Sequence, residues 1–117
     1  MKREFVMTEW FDATWDSEGL SDDDLRFLQI ELLQDPTCGS VMQGTGGFRK
    51  LRVALQGRGK SSGLRVIYLD IPAFEVLYLM LAYPKSEKDA LTAAEQAELR
   101  KIAASIKKNL KECRGGS

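Results

Sequence analysis

Three consecutive stretches between residues 48 and 83 carry the residue patterns of β-strands, and only short turns separate them. Phe48 to Leu55 alternates as a strand does when one face packs and the other faces outward. Its two sides are Leu51, Val53 and Leu55, and Lys50, Arg52 and Ala54. Leu64 to Ile71 follows a glycine-rich turn, and Glu75 to Tyr83, which is almost wholly apolar, follows a turn over Pro72-Ala73-Phe74. The patterns predict an antiparallel meander whose last strand is buried on both faces.

A capping box marks the start of each of the two longer predicted helices. In Ser21-Asp22-Asp23-Asp24 the serine can cap the helix while Asp24 bonds back to it, and Asp35-Pro36 ends that helix. Thr92-Ala93-Ala94-Glu95 opens the second helix in the same way. The apolar stripes are Leu25, Leu28, Leu32 and Leu33 in the first, and Leu99, Ile102, Ala103, Ile106 and Leu110 in the second.

The start of the chain predicts one more strand and one more helix. Glu4 to Thr8 is a short candidate strand, and an amphipathic helix follows because Trp10, Phe11, Thr14 and Trp15 recur at helical spacing. Both tryptophans are expected in the core, and so is Tyr68. The order of strand, helices, meander and helix predicts a single α+β domain over residues 1–114, with residues 115–117 as a flexible tail.

Charge is distributed unevenly along the chain, although the net charge is zero. From Met1 to Asp35 there are ten acidic residues and three basic ones. From Pro36 to Leu69 there is no acidic residue, and the six bases are Arg49, Lys50, Arg52, Arg58, Lys60 and Arg65. Such a segment creates a local positive potential that suits a polyanion. Charge alone also allows a solvated basic sheet edge that deters aggregation.

The GKSS within residues 56–63, QGRGKSSG, resembles a fragment of a nucleotide-binding phosphate loop. That loop needs a glycine five positions before the one that precedes the lysine, and Ala54 stands there. It also needs a helix after its serine, whereas the β-rich run from Leu64 to Leu69 follows here. Spacing and flanks therefore favour a turn between antiparallel strands.

Neither a cofactor nor a membrane is expected from the sequence. Cys38 and Cys113 lack metal-ligand spacing, and the first residues lack the apolar stretch of a secretory signal, so reduced thiols in a cytoplasmic protein are expected. No apolar run approaches membrane-spanning length.

The chain contains no histidine, which excludes nucleophiles activated by histidine and the two-histidine ribonuclease scheme. The basic centre offers no carboxylate cluster to hold a catalytic cation. Lysine, arginine and tyrosine can nevertheless cleave RNA by promoting attack of a 2′-hydroxyl on the adjacent phosphate. Guanidinium groups stabilise the phosphorane, and crowding by like charge lowers the pKa of lysine and tyrosine side chains that transfer protons.

Four blocks of the sequence together resemble the HigB-type branch of the RelE/ParE toxin superfamily. They are Gln43–Ala54, Gly57–Lys60, Gly63–Tyr68 and Tyr83–Leu91, and helices similar to those of the family flank them. The resemblance implies a bacterial type II toxin, with a curved antiparallel sheet, that enters the ribosomal A site and cuts mRNA without a metal. Its implied partners are the ribosome, mRNA and a cognate antitoxin. The antitoxin of this branch is usually a helix-turn-helix protein. The toxin would contact operator DNA only through this antitoxin.

The resemblance also implies the catalytic residues. Lys50 and Arg52 match the paired strand bases of the family, Arg65 matches the arginine in its Gly-x-Arg-x-x-Tyr strand, and Lys85 matches a base just after the last strand. Arg65 and Lys85 would contact the transition-state phosphate, with Lys85 a candidate acid for the leaving 5′-oxygen. Lys50 or Tyr83 would be the base for the 2′-hydroxyl.

Further bases are expected to bind the RNA backbone, namely Arg49, Arg58, Lys60 and Lys88. One position departs from the family, because RelE carries a tyrosine six residues beyond the basic residue that Lys85 matches, and this chain has Leu91 there. Tyr83 is either its replacement or a strand-end aromatic that packs. The alternative for Arg65 is a cross-strand charge on an exposed face.

Two other functions compete with mRNA cleavage. A ParE-like gyrase inhibitor would share the fold and the antitoxin, but it has no need of the convergent bases. A plain RNA-binding module would have the charge, but only Phe48 lies beside the basic run as a stacking platform. Ribosome-dependent mRNA cleavage is therefore the favoured prediction.

Overall fold

The computed structural model describes residues 2–53, 63–84 and 91–115, and within them three helices flank a five-stranded sheet. The elements are β1 (Glu4–Met7), α1 (Glu9–Ser17), α2 (Asp22–Gln34), β2 (Ser40–Val41), β3 (Arg49–Val53), β4 (Leu64–Ile71), a 3-10 turn (Pro72–Phe74), β5 (Val76–Pro84) and α3 (Ala93–Gly115). The strand order is β1-β5-β4-β3-β2. The predicted α+β class and the meander of β3, β4 and β5 are confirmed.

Strand β1 makes the sheet mixed, because it pairs with β5 in parallel while every other pair is antiparallel. Glu4 lies opposite Val76 and Met7 lies opposite Leu79. The side chain of Thr8, directly after β1, accepts a hydrogen bond from the Phe11 N–H and donates one to the carbonyl of Met80. This threonine therefore ends the strand, caps α1 and ties both to β5.

The two faces of the sheet carry separate hydrophobic clusters. The face under α1 and α2 contains Phe11, Trp15, Leu28, Leu32, Leu51, Val53, Leu64, Val66, Tyr68, Leu77, Leu79 and Ala82. The other face packs against α3 and contains Phe48, Ile67, Leu69, Ile71, Met80, Tyr83, Leu99 and Ala103. Because strand residues alternate between faces, Leu51 and Val53 pack beneath the N-terminal helices while Lys50 and Arg52 lie on the α3 side. Ala54 and Leu55 lie outside the described residues.

Both predicted capping boxes are present. The Ser21 hydroxyl accepts from the Asp24 N–H at 3.2 Å, and the Asp24 carboxylate accepts from the Ser21 N–H at 2.9 Å. Thr92 and Glu95 form the same reciprocal pair at 3.1 and 2.9 Å. Each pair satisfies two N–H groups at a helix start.

Of the two tryptophans expected in the core, Trp15 is buried and Trp10 is not. Trp15 stacks on Phe11 with ring centroids 5.2 Å apart, and its indole N–H donates to the Ser21 carbonyl. Trp10 is 59% exposed, so its predicted burial is wrong. Phe11 and Trp15 are four residues apart and share the inward face of α1, whereas Trp10 is rotated by about 100° from Phe11.

Tyr68 belongs to the core, as predicted, and its hydroxyl also holds the segment between α2 and β2. That hydroxyl donates to the Pro36 carbonyl at 2.7 Å and accepts from the Gly39 N–H at 2.9 Å. A Cβ atom on Gly39 would lie 2.8 Å from Cε1 of Tyr68 and 3.0 Å from the carbonyl oxygen of Lys50. A side chain at this position would therefore push β2 away from β3.

Candidate active site

Three of the predicted catalytic residues form a row across the α3 face of the sheet. Arg52 on β3 lies directly opposite Arg65 on β4, and Arg65 lies directly opposite Tyr83 on β5. Neighbouring strands are about 4.8 Å apart, so the row spans about 10 Å across three strands. We call Arg52, Arg65 and Tyr83 the cross-strand row.

Lys50 extends the positive charge along β3. It precedes Arg52 by two residues, so it lies on the same face, about 7 Å along the strand. Its direct neighbours are Ile67 on β4 and Ser40 on β2. A surface depression of about 380 Å³ brings together Lys50, Arg52 and Arg65, and the other described residues that line it are Cys38, Ser40 and Leu51.

The electrostatics of the depression favour an anion. Arg52 and Arg65 carry like charges at directly opposed positions, an arrangement that destabilises a sheet. Neither Lys50 nor Arg65 forms an ion pair with another residue that the structure describes. The Nη1 atom of Arg65 is shielded from solvent and has no hydrogen-bond acceptor among residues 2–53, 63–84 and 91–115. A charged donor left in this state costs more than about 1–3 kcal/mol, which a bound phosphate oxygen would offset.

Cys38 and Ser40 line the depression but were not predicted from the sequence. Burial raises the pKa of the Cys38 thiol, so near pH 7 the thiol is neutral and leaves the positive potential undiminished. Ser40 belongs to the two-residue strand β2, which is too short to show a periodic pattern. The only sequence feature that could have indicated their position is the run of small residues between the end of α2 and the basic strand β3.

Arg49 lies on the opposite face of β3 from the cross-strand row. Its guanidinium donates to the carbonyls of Thr37 at 3.2 Å and Gly39 at 2.8 Å, which holds the chain between α2 and β2. An RNA contact by Arg49 stays a prediction, and the structure does not bring this residue into the depression. The predicted residues Arg58, Lys60, Lys85 and Lys88 lie outside the described residues.

No group of three or more histidine, cysteine, aspartate or glutamate side chains could hold a metal ion within the described ranges. In the same ranges no helix has both the length and the apolar character needed to cross a membrane.

A comparison with known protein families shows which family the chain belongs to. A family model described as the RelE toxin of the RelE / RelB toxin-antitoxin system matches residues 3–113. The chain belongs to the RelE toxin family. The match includes both the sheet that carries the depression and the helices that flank it, and membership implies an antitoxin partner for this RelE-family toxin.

A solved structure supports the fold independently. This chain is similar to a solved structure of the Escherichia coli toxin RelE, with a TM-score of 0.55. That structure is of a mutant in which two arginines are replaced by alanine, in the free state. The similarity covers 76% of this chain and 90% of the other at 18% sequence identity. At that identity the likeness shows the RelE fold.

Proposed function

We propose that this RelE-family toxin is an endoribonuclease of the HigB type, which cleaves mRNA in the ribosomal A site in the cytoplasm without a metal. The observation that carries the proposal is the cross-strand row with Lys50 beside it. Two guanidinium groups, an ammonium and a phenol lie on one face of a sheet. In the described segments, no carboxylate is paired with Lys50 or Arg65.

In this mechanism the scissile phosphate lies over the opposed guanidinium groups of Arg52 and Arg65. The 2′-hydroxyl of the preceding nucleotide attacks phosphorus, the bond from phosphorus to the 5′-oxygen breaks, and a 2′,3′-cyclic phosphate forms. Negative charge grows on the non-bridging oxygens as the phosphorane forms, and fixed guanidinium donors stabilise that charge more than they stabilise the ground state. The sheet holds both arginines in place beforehand, so little reorganisation is needed.

Proton transfer requires one group near the attacking oxygen and another near the leaving oxygen. Tyr83 lies one strand beyond Arg65, and Lys50 lies one residue pair away from Arg52 along β3. The two residues therefore border the phosphate position on different sides, and either can receive the proton of the 2′-hydroxyl. Lys85 is the proposed donor to the leaving 5′-oxygen.

The ribosome completes the proposed reaction by presenting mRNA in a splayed conformation in the A site. The depression is shallow and polycationic, which gives affinity for phosphates but little geometric control over a free strand. The cognate antitoxin, proposed to be a helix-turn-helix protein, neutralises the toxin and alone contacts operator DNA.

Mapping of new RNA 5′ ends by primer extension tests the proposal. Purified toxin is added to a translation reaction and, in parallel, to naked mRNA. Cuts within codons that appear only with ribosomes support the A-site nuclease. Intact mRNA in both reactions, from protein that still stops growth, would instead indicate a toxin without nuclease activity, such as a gyrase inhibitor.

A matched pair of variants separates the site from general charge effects. Arg65→Ala removes a member of the cross-strand row, whereas Arg26→Ala removes an exposed arginine from α2, away from the depression. Cleavage should be lost only in the first variant. Full cleavage by folded Arg65→Ala protein would refute the assigned site.

A further inference from the structure

Residues 36–40 include two of the side chains that line the depression, and we call this segment the β2 wall. Side chains from the opposite face of the sheet hold its backbone. Arg49 donates through Nη1 to the carbonyls of Thr37 at 3.2 Å and Gly39 at 2.8 Å. Tyr68 lies directly opposite Arg49 on β4, and its hydroxyl makes two more hydrogen bonds to the backbone of the wall. The position of the wall is therefore fixed before any ligand binds.

Ser40 ends the wall and lies on the face of the sheet that carries the candidate site. It is directly opposite Lys50, so the two side chains point to the same side, with Cβ atoms about 4.5–5.5 Å apart. Ser40 is exposed and lines the depression together with Lys50, Arg52 and Arg65. Its hydroxyl forms no hydrogen bond with any residue that the structure describes. The fold thus leaves this hydroxyl available to a ligand.

The neighbouring cations determine which ligand group the Ser40 hydroxyl meets. Lys50, Arg52 and Arg65 attract phosphates. A serine hydroxyl can donate to a phosphate oxygen and can also accept from a ribose 2′-hydroxyl. Ser40 lies one strand across and one residue pair along from Arg52, about 8 Å away. It is therefore placed to contact the RNA backbone beside a phosphate that lies over the two arginines.

We propose that Ser40 contacts the RNA backbone beside the scissile phosphate, and that Arg49 is a positioning residue that holds Ser40 in place. This inference deepens the nuclease function proposed above and rests on it. A serine side chain is short and its hydrogen bond spans about 2.5–3.2 Å, so a shift of β2 by about 1 Å breaks the contact. The long side chains of Lys50 and Arg52 can follow a displaced ligand, whereas Ser40 depends on the wall that carries it. Arg49 therefore acts on RNA indirectly.

Single-turnover rates of ribosome-dependent cleavage test the role of Ser40. Ser40→Ala should slow cleavage by about tenfold, as expected for the loss of one hydrogen bond to a charged group. Ser40→Thr keeps the hydroxyl and suits a strand, so its rate should stay within about threefold of the wild type. Ser105→Ala is the matched control, because it removes an exposed serine from α3, outside the depression, and its rate should not change.

A double-mutant cycle tests whether Arg49 acts through Ser40. Arg49→Ala should slow cleavage about as much as Ser40→Ala, and the double variant should be less than about twofold slower than either single variant. Far-UV circular dichroism and urea unfolding verify that each variant is folded. If Arg49→Ala is unfolded, Arg49→Lys takes its place, because lysine keeps the charge but lacks the planar guanidinium. The same lack of additivity is then expected.

The salt dependence of RNA binding separates positioning from direct contact. The probe is a fluorescein-labelled single-stranded RNA of about 12 nucleotides, titrated by anisotropy at several salt concentrations. Each phosphate contact made by a cation contributes about 0.7 to the slope of log K against log salt for a single strand. Arg52→Ala should lower the slope by about that amount, whereas Arg49→Ala should leave it unchanged.

The inference and the nuclease function fail in different ways. Wild-type cleavage rates in Ser40→Ala, or equal defects in Ser40→Ala and Ser40→Thr, would overturn the hydroxyl contact and leave the nuclease standing. Additive losses in the double variant, or a slope lowered by about 0.7 in Arg49→Ala, would show that Arg49 does not act through Ser40. Intact mRNA with the wild type would refute the nuclease. In that case a loss of RNA affinity in Ser40→Ala, but not in Ser105→Ala, would still support the backbone contact, and equal affinities would overturn it.

Discussion

Replacing Tyr68 with phenylalanine removes a single buried oxygen atom and with it the two hydrogen bonds that fix the segment between α2 and β2. The Tyr68 hydroxyl, the Pro36 carbonyl at 2.7 Å and the Gly39 N–H at 2.9 Å are all buried, so water does not replace the lost partner without a rearrangement. A buried polar group left without a partner costs about 1–3 kcal/mol. Two such groups, partly relaxed, should lower the free energy of unfolding by about 2–4 kcal/mol.

Urea unfolding followed by circular dichroism measures this loss, and thermal unfolding should show a melting temperature roughly 10–20 °C lower. Tyr78→Phe is the matched control, because Tyr78 is half-buried and its hydroxyl bonds to no other described residue. That variant should stay within about 0.5 kcal/mol of the wild type. If Tyr68→Phe also stays within that margin, the Tyr68 hydroxyl does not hold this segment in place and the reasoning fails.

Four further outcomes are expected. Burial raises the pKa of Tyr68 to about 12. The contribution of Tyr68 to stability is therefore fully present below pH 10, where the unfolded tyrosine ionises, and it is lost as the pH rises towards 12. Urea unfolding midpoints measured across this pH range should fall less in Tyr68→Phe than in the wild type. Arg65→Ala should reduce ribosome-dependent cleavage by about 10²–10³-fold in primer-extension assays while Arg26→Ala retains activity. Gly39→Ala should cost about 1–3 kcal/mol, because its Cβ would lie 2.8 Å from the ring of Tyr68, and denaturant unfolding measures this. Thr92→Ala should cost about 1 kcal/mol in the same assay by removing the cap of α3; no change would mean that the cap does not contribute.

The helices and the meander could be predicted because their signals are local. Capping boxes, apolar stripes and alternation are written in consecutive residues, and the Ser21 and Thr92 caps form as expected. The pairing of β1 with β5 joins residues about 70 positions apart, and no local pattern encodes it. The exposure of Trp10 could not be predicted, because the sequence does not show whether Trp10 or the adjacent Phe11 faces the core.

The residues of the candidate site could be proposed from the sequence, but their relative positions could not. The resemblance proposed Lys50, Arg52 and Arg65, with Tyr83 as a possible substitute for the tyrosine of the family, and only the strand register shows that Arg52, Arg65 and Tyr83 lie in one row. A shift of one residue between β3 and β4 would have changed which residues of the two strands oppose each other. The alternation of side chains along β3 is enough to predict which face of the sheet carries Arg49. Its hydrogen bonds to the Thr37 and Gly39 carbonyls could not be predicted, because they depend on the position of the segment between α2 and β2.

The parallel pairing of β1 with β5 also governs when the molecule becomes complete during synthesis. Residues 4–7 are synthesised about 70 residues before their partners, residues 76–79. The cross-strand row likewise needs all of β3, β4 and β5, the last of which ends at Pro84. Because contacts so distant in sequence form late and slowly, a nascent chain has no assembled cationic row. Under the proposed function, the toxin would thus be unable to cleave mRNA in the ribosome that makes it until β5 has been synthesised.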